Sequence, residues 1–379
     1  MWVLVLAFVA SACVTLLLVR SAKVHAHRSG DDDFSKPQKF HAVAVPRIGG
    51  VGIVLGLLAG VLALTWTQGQ PAALYFLALL GCASPAFVAG VVQDFTEALT
   101  PRGRLIATAL SAVLAFFTMD AAVRFTAIPG IDWLVSFTAG SLFVTVLAVA
   151  GIANAINIID GFNGLASMCA VMMLAALAYV AFQVGDPLLG LLALAGVGAV
   201  LGFFLWNFPA GLIFLGDGGA YFLGFFVAEL SILLLSRNHG ELSPLFPLLV
   251  CIYPVFETLF SIYRRTFLRS LPPSMPDGIH LHSLIYRRLL RWAVGPQSVQ
   301  SLTRRNSMTS PYLWMLCMFS VGPAVLFWDN TPVLAIFLVL FVVSYIALYW
   351  RIVRFKSPRW LKLQPLRPRV HVEANNPKA

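Results

Sequence analysis

The sequence predicts an all-α, polytopic integral membrane protein with about eleven transmembrane helices, and three observations carry that prediction. Of the 379 residues, 59% are apolar and only 11% are charged, where a soluble protein of this size carries roughly a quarter charged residues. Apolar windows near twenty residues recur from end to end, the length that crosses about 30 Å of hydrocarbon. Alternating strands do not sustain runs of that length. The basic residues, finally, sort almost completely to one side of the inferred membrane.

Taken in order, the first window (2–19) lacks a small-residue cleavage site followed by a soluble domain, so it reads as a retained helix rather than a signal peptide. Windows at 48–66 and 72–92 follow, separated from the first by a basic stretch ending in "KPQKFHAVAVPRIGG" (36–50). After the polar run "VVQDFTEALTPRGR" (91–104) come windows at 105–119 and 133–153. The fifth meets the sixth (165–183) across "NAINIIDGFNGLA" (154–166), and the seventh (188–206) meets the eighth (220–236) across "NFPAGLIFLGDGGA" (207–220). The ninth (245–263) leads into a long loop holding "PDGIHLHSLIYRR" (276–288), and windows at 311–328 and 332–350 complete the set. Eleven crossings place 20–47, 93–104, 154–164, 207–219, 264–310 and everything from 351 on one face. Of the 26 lysines and arginines only Arg124 and Arg237 lie elsewhere. The positive-inside rule makes that face cytoplasmic, with the N-terminus outside and the C-terminus inside. The net charge of +10 therefore reads as topology and contact with anionic membrane lipids, not as nucleic-acid binding. One membrane domain (1–350) and a basic cytoplasmic tail (351–379) are expected. The five cysteines all fall in apolar windows, without metal-ligand spacing or a disulfide framework, and read as packing residues.

All the polar clusters fall on the face assigned to the cytoplasm, which is what an active site at the bilayer boundary requires. Asn157 and Asp160, three apart, share one face if the fifth helix runs to about 160, and Gly161 and Gly164 permit a turn beyond. Such a stretch is either an ordinary capped turn or a set of hard oxygen ligands for Mg²⁺ and partners for a nucleobase edge. Asp217, among three glycines, is either a turn residue or a carboxylate beside bare backbone N–H groups that a metal-bound diphosphate can approach. Because Mg²⁺ is held by one or two such groups plus phosphate oxygens, Asn157 with Asp217 suffices. Asp94 is a solvated loop acid, a metal ligand, an orienting group for an acceptor phosphate, or a base. The last is least needed, since a phosphate monoester is already mostly dianionic at neutral pH. His280 and His282, with Arg287 and Arg288, and likewise Lys39, His41 and Arg47, either mark the membrane surface or donate hydrogen bonds to phosphate. Glu257, about two turns before Arg264 and Arg265, reads as half of an ion pair with them; Glu229 has no assignment.

Together these stretches resemble the polyprenyl-phosphate N-acetylhexosamine-1-phosphate transferases (glycosyltransferase family 4) from about residue 36 to 290. "NAINIIDGFNGLA" and "NFPAGLIFLGDGGA" are specific as a pair. With His41 ahead of Pro46 and Gly49–Gly50, loop one is more similar to the O-antigen initiator branch, the undecaprenyl-phosphate N-acetylglucosaminyl-1-phosphate transferases, than to the muramoyl-peptide branch. The resemblance implies a bacterial inner-membrane enzyme active on the cytoplasmic face. It would move an N-acetylhexosamine-1-phosphate from a UDP-N-acetylhexosamine to undecaprenyl phosphate, release UMP and begin a cell-surface glycan such as lipopolysaccharide O-antigen. It implies Asn157 and Asp217 on Mg²⁺ (or Mn²⁺), with Asp160 and Asn163 at the nucleotide. Asp94 then faces the acceptor phosphate, and His280, His282, Arg287 and Arg288 neutralise phosphate charge. Three positions depart from the family pattern: Gln93 replaces the first of paired aspartates, Asn163 stands where a second acid is frequent, and Ser283 ends the His-x-His-His run. The rivals are a catalytically impaired member or scaffold, which Gln93 favours, and a transporter or flippase. A transporter would place polar groups near mid-membrane.

Overall fold

A computed structural model describes residues 1–21, 45–268, 270, 278–290 and 299–354. The described residues are helix and loop, without a β-strand, and eleven helices among them are long and apolar enough to cross a membrane. In chain order the elements are α1 (Trp2–Arg20), α2 (Gly49–Gln68), α3 (Gln70–Thr96), α4 (Pro101–Met119) and the short α5 (Pro129–Val135). Next come α6 (Thr138–Ile159), α7 (Leu165–Gln183), α8 (Pro187–Asn207), α9 (Gly216–Arg237) and α10 (Leu245–Tyr263). The short α11 (Leu281–Leu284), α12 (Val299–Leu326) and α13 (Thr331–Val353) end the described chain.

Local chemistry sets the boundaries. Helices α3, α4, α8 and α13 open on a proline in their first turn, where its missing N–H has no helical partner to lose. Thr100, Asp186 and Asn330 cap α4, α8 and α13 by accepting the backbone N–H of Gly103, Leu189 and Val333 at 3.2, 3.2 and 3.1 Å. Helices α1, α2 and α8 pack through small residues, and Ser11 Oγ donates to the Ala199 carbonyl across α1 and α8 at 2.6 Å. Close backbone approach and interhelical hydrogen bonds replace the hydrophobic drive that lipid cannot supply.

The centre of the bundle is α9. Every residue from Gly218 to Leu234 is buried, packed among α2, α3, α4, α6 and α7. Its N-terminus is the sequence "GDGG", so the glycine-flanked Asp217 stands at the tip of the most enclosed helix. By contrast α1 and α13 lie at the rim and are mostly exposed.

Three boundaries differ from the hydropathy reading. Helix α3 continues to Thr96, so Gln93 and Asp94 are helical rather than in a loop. Helix α10 runs on through a wider helical turn at Arg264–Leu268. Helix α12 starts at Val299 instead of 311, because its polar first turns are buried against protein rather than lipid. Of the cysteines, Cys82, Cys169, Cys251 and Cys317 are buried as expected, but Cys13 faces outward.

Candidate active site

At the N-terminus of α9, Gly216 takes a left-handed φ of 77°, and the next two backbone N–H groups, of Asp217 and Gly218, point at Asp94. They donate to its two carboxylate oxygens at 2.8 and 2.9 Å. A carboxylate in that position satisfies helix donors that have no intrahelical partner and faces the positive end of the helix dipole. The approach of α3 to α9 depends on two glycines: a Cβ on Gly90 would lie 2.4 Å from both Gly218 Cα and Gly218 N. Segment 46–50 closes the other side. Phe214 N–H donates to the Pro46 carbonyl at 2.8 Å, while Gly49 and Gly50 N–H donate to Phe214 and Leu215 at 2.9 and 3.0 Å. Arg47 is thereby carried to the tip of α9.

The side chain of Asp217 is held from two directions. Asn157 Nδ2, near the end of α6, donates to Asp217 Oδ1 at 3.0 Å. Arg104, in the first turn of α4, donates through Nη1 to Oδ2 and forms an ion pair with it. The Arg104 guanidinium also lies 5.9 Å from the Tyr221 ring centroid. Its Nε–H is buried without a protein acceptor. That donor, beside a carboxylate–carboxamide pair, suits a phosphate oxygen. Arg104 is the residue the sequence reading missed: it passed as one more positive-inside charge, and its only signal was a position ten residues after Asp94.

Asp160 ends α6 as its C-cap. Partly exposed by surface area yet surrounded by protein on most sides, it has its pKa pushed up to about 7. Burial is the main cause and the charge of Asp217 the second, with Arg47 opposing both. Beyond it, a Cβ on Gly161 would meet His282 Nε2 at 3.6 Å, and His282 packs edge-on to Phe162 with centroids 5.4 Å apart. His280 stacks on His282 at 5.1 Å and meets Glu257 Oε1 through Nδ1 at 3.0 Å. The bundle therefore brings Asn157, Asp217, Asp94, Asp160, Arg47 and the two histidines to one end.

Other expected residues are placed differently. Asn163 is buried: its N–H donates to Asn306 Oδ1 at 2.8 Å, its Nδ2 to Ser307 Oγ and the Pro209 carbonyl at 3.2 and 3.3 Å, and its carbonyl accepts from Ser310 at 2.6 Å. Its polar atoms lock the turn to α12, which corrects the expectation of a nucleotide contact. Arg288 Nη1 caps the end of α13 on the carbonyls of Ile352 and Val353 at 3.1 and 2.5 Å, so a helix terminus rather than a phosphate takes its charge. Arg287 is exposed. Lys39 and His41 lie outside the described residues. Glu257 pairs with His280 and not with Arg264 or Arg265. The Arg264 guanidinium donates to the Ile279 carbonyl and Tyr349 hydroxyl at 3.0 and 2.6 Å. Gln93 Oε1 accepts the Leu99 N–H at 2.9 Å and so fixes the loop that leads to Arg104.

Among the described residues no three His, Cys, Asp or Glu side chains converge as a metal cage. Asn157 and Asp217 instead offer hard oxygen donors side by side with the rest of the sphere open. That fits Mg²⁺, which keeps water and phosphate oxygens as ligands.

A family model described as glycosyl transferase family 4 matches residues 76–235, the span that contains Asp94, Arg104, Asn157, Asp160 and Asp217. The chain is 32% identical over 285 residues to a probable undecaprenyl-phosphate N-acetylglucosaminyl 1-phosphate transferase of Bacillus subtilis, covering 74% of this chain and 76% of that protein. It is 26% identical to the undecaprenyl-phosphate alpha-N-acetylglucosaminyl 1-phosphate transferase of Thermotoga maritima, over 74% and 81% of the two chains. The decaprenyl-phosphate N-acetylglucosaminephosphotransferase of Mycolicibacterium smegmatis is 28% identical, over 84% and 81%.

Proposed function

Since the chain belongs to glycosyl transferase family 4, among the polyprenyl-phosphate N-acetylglucosamine-1-phosphate transferases, we propose that it moves N-acetylglucosamine-1-phosphate from a UDP-sugar to undecaprenyl phosphate. UMP is the second product, and the lipid-linked sugar begins a cell-surface glycan, O-antigen being the one that loop one favours. The observation that carries this reading is the grip of Asn157 and Arg104 on Asp217 at the tip of the buried helix α9. The basic face is the cytoplasmic one in this reading, and the site lies at the inner leaflet of the bacterial inner membrane, where a soluble nucleotide and a membrane-embedded lipid phosphate can meet.

An oxygen of the lipid phosphate attacks the sugar-bearing phosphorus, the bond to the bridging oxygen breaks, and UMP leaves with the electron pair. Positioning and charge compensation dominate such transfers. Asp217 and Asn157 would hold Mg²⁺ (or Mn²⁺), which when bound supplies Lewis-acid neutralisation of the diphosphate. Arg104 directs its remaining N–H at a phosphate oxygen, and Arg47 adds a second positive charge. Asp94 acts through α9: with both oxygens on backbone N–H groups it sets where Asp217 stands, and no proton need pass to it. Asp160 faces the nucleotide at the turn, and His282 and His280 meet phosphate beside it. The polar residues gather at one end of the bundle rather than at mid-membrane, which favours a transferase over a transporter.

The test is turnover of membranes supplied with undecaprenyl phosphate, Mg²⁺ and a panel of UDP-N-acetylhexosamines. We expect UMP release and lipid-linked product with the N-acetylglucosamine donor, and a loss of about a thousandfold in Asp217→Ala. Unchanged turnover in that variant removes the metal assignment. Substrate translocation without product would turn the reading to a transporter, and inactivity with every donor to a scaffold.

A further inference from the structure

Glu257 is 1% exposed, near the end of α10 and one layer behind the site. A buried carboxylate is costly unless its charge is matched and its oxygens are bonded. Here Oε1 accepts from His280 Nδ1 and from the Leu281 N–H, both at 3.0 Å, and Oε2 accepts the Tyr345 hydroxyl at 2.7 Å. The arginines of the same helix turn elsewhere: Arg264 goes to Ile279 and Tyr349, and Arg265 Nε to the Ser261 carbonyl at 3.4 Å. The titratable and charged groups around the carboxylate are Tyr253 and Arg264 on its own helix, His280 and His282 on the segment above, and Tyr345 and Tyr349 on α13. The negative charge is therefore directed at the histidines.

Two consequences follow from this geometry. Because Oε1 already accepts a backbone N–H, it is an acceptor toward His280 as well, so Nδ1 carries the proton and Nε2 is the nitrogen left to act. His280 is also stacked at 16° on His282, whose Nε2 edge borders Gly161. A fixed negative charge behind a pair of imidazoles favours their charged form.

We infer that Glu257 is a positioning residue for the transfer reaction. It orients His280 and supplies the fixed charge with which the His280–His282 pair meets phosphate as cations at the Asp160–Gly161 turn. The inference rests on the proposed function to the extent that these histidines meet phosphate.

Glu257→Gln tests it, because glutamine can keep the three hydrogen bonds while removing the charge. The full-length protein, Glu257→Gln, Glu257→Asp and Tyr345→Phe are compared by kcat/KM between about pH 5 and pH 8 and by thermal unfolding. We expect Glu257→Gln to keep its melting midpoint, to lose about tenfold in kcat/KM at the alkaline end, and to show the alkaline limb about one pH unit lower. The sign follows from losing a negative charge, which lets the imidazolium forms give up their protons at lower pH. Glu257→Asp should leave the limb in place, and so should Tyr345→Phe, which removes a hydrogen bond but no charge. A wild-type profile in Glu257→Gln overturns the inference, as does a rate loss that merely tracks a lowered melting midpoint, or a limb moved equally by Tyr345→Phe. Hydrogen–deuterium exchange at the histidine C2 positions provides a readout without turnover, since His280 must titrate at lower pH in Glu257→Gln. If the wild type yields no product while that titration shift is present, the transferase reading fails and the charge coupling stands. If product forms and the shift is absent, the reverse holds.

Discussion

At the scale of single residues, the site is organised by what each polar atom is already bonded to. Asp94, Asn163 and Arg288 were each chosen from the sequence as chemistry-bearing, and each has its polar atoms engaged by backbone or side chains of the protein. Asn157 and Asp217 instead meet only each other and Arg104. Residue type and face could be read from the chain; bonding partners could not, because those lie from 60 to 147 positions away. Arg104 shows the same limit from the other side, since nothing local separates a charge that anchors a loop from one that reaches a carboxylate. Replacing it with alanine should cost about a hundredfold in kcat/KM while leaving the fold intact. Lysine in its place should restore part of the rate, because it returns the charge without the fork of donors. Equal rates for all three proteins would remove Arg104 from the site.

At the scale of elements, helix positions were legible to within a few residues wherever lipid is the neighbour, because hydropathy measures that environment directly. They were least legible where protein is the neighbour. The start of α12, "QSLTRRNSMTS", is too polar for a hydropathy window, yet Asn306, Ser307 and Ser310 are buried there around the 160–164 turn. The packing of α3 on α9 makes a sharper point. With 2.4 Å between a Cβ on Gly90 and the Gly218 backbone, Gly90→Ala must force the helices apart. Overpacking of this kind costs about 1–3 kcal/mol, and here it also draws Asp94 away from the N–H groups it holds. We expect a lowered melting midpoint together with a loss of turnover larger than the stability change explains. Gly81, on the same helix with open space at its Cβ, is the control, and alanine there should alter neither.

At the scale of the whole molecule, the distribution of charge and the order of helices were readable in full, since eleven predicted crossings correspond to the eleven candidate spans. The placement of 24 basic residues on one side supports an interior C-terminus. A reporter that matures only in the cytoplasm should therefore be active when fused after residue 379, and one that matures only outside should be active when fused near Arg124 or Arg237. The opposite pattern would invert the orientation and move the site to the wrong leaflet for a nucleotide.

Along α9, no lipid chain touches the residues from Gly218 to Leu234. The outer ring, α1 and α13 above all, therefore takes up whatever the bilayer does in thickness, tension or composition before any of it can reach the acid at the tip. The reactive centre is insulated, and the rim is compliant. Swapping the surrounding amphiphile should then change how the protein is solvated and how its greasy substrate arrives, without detuning the chemistry itself.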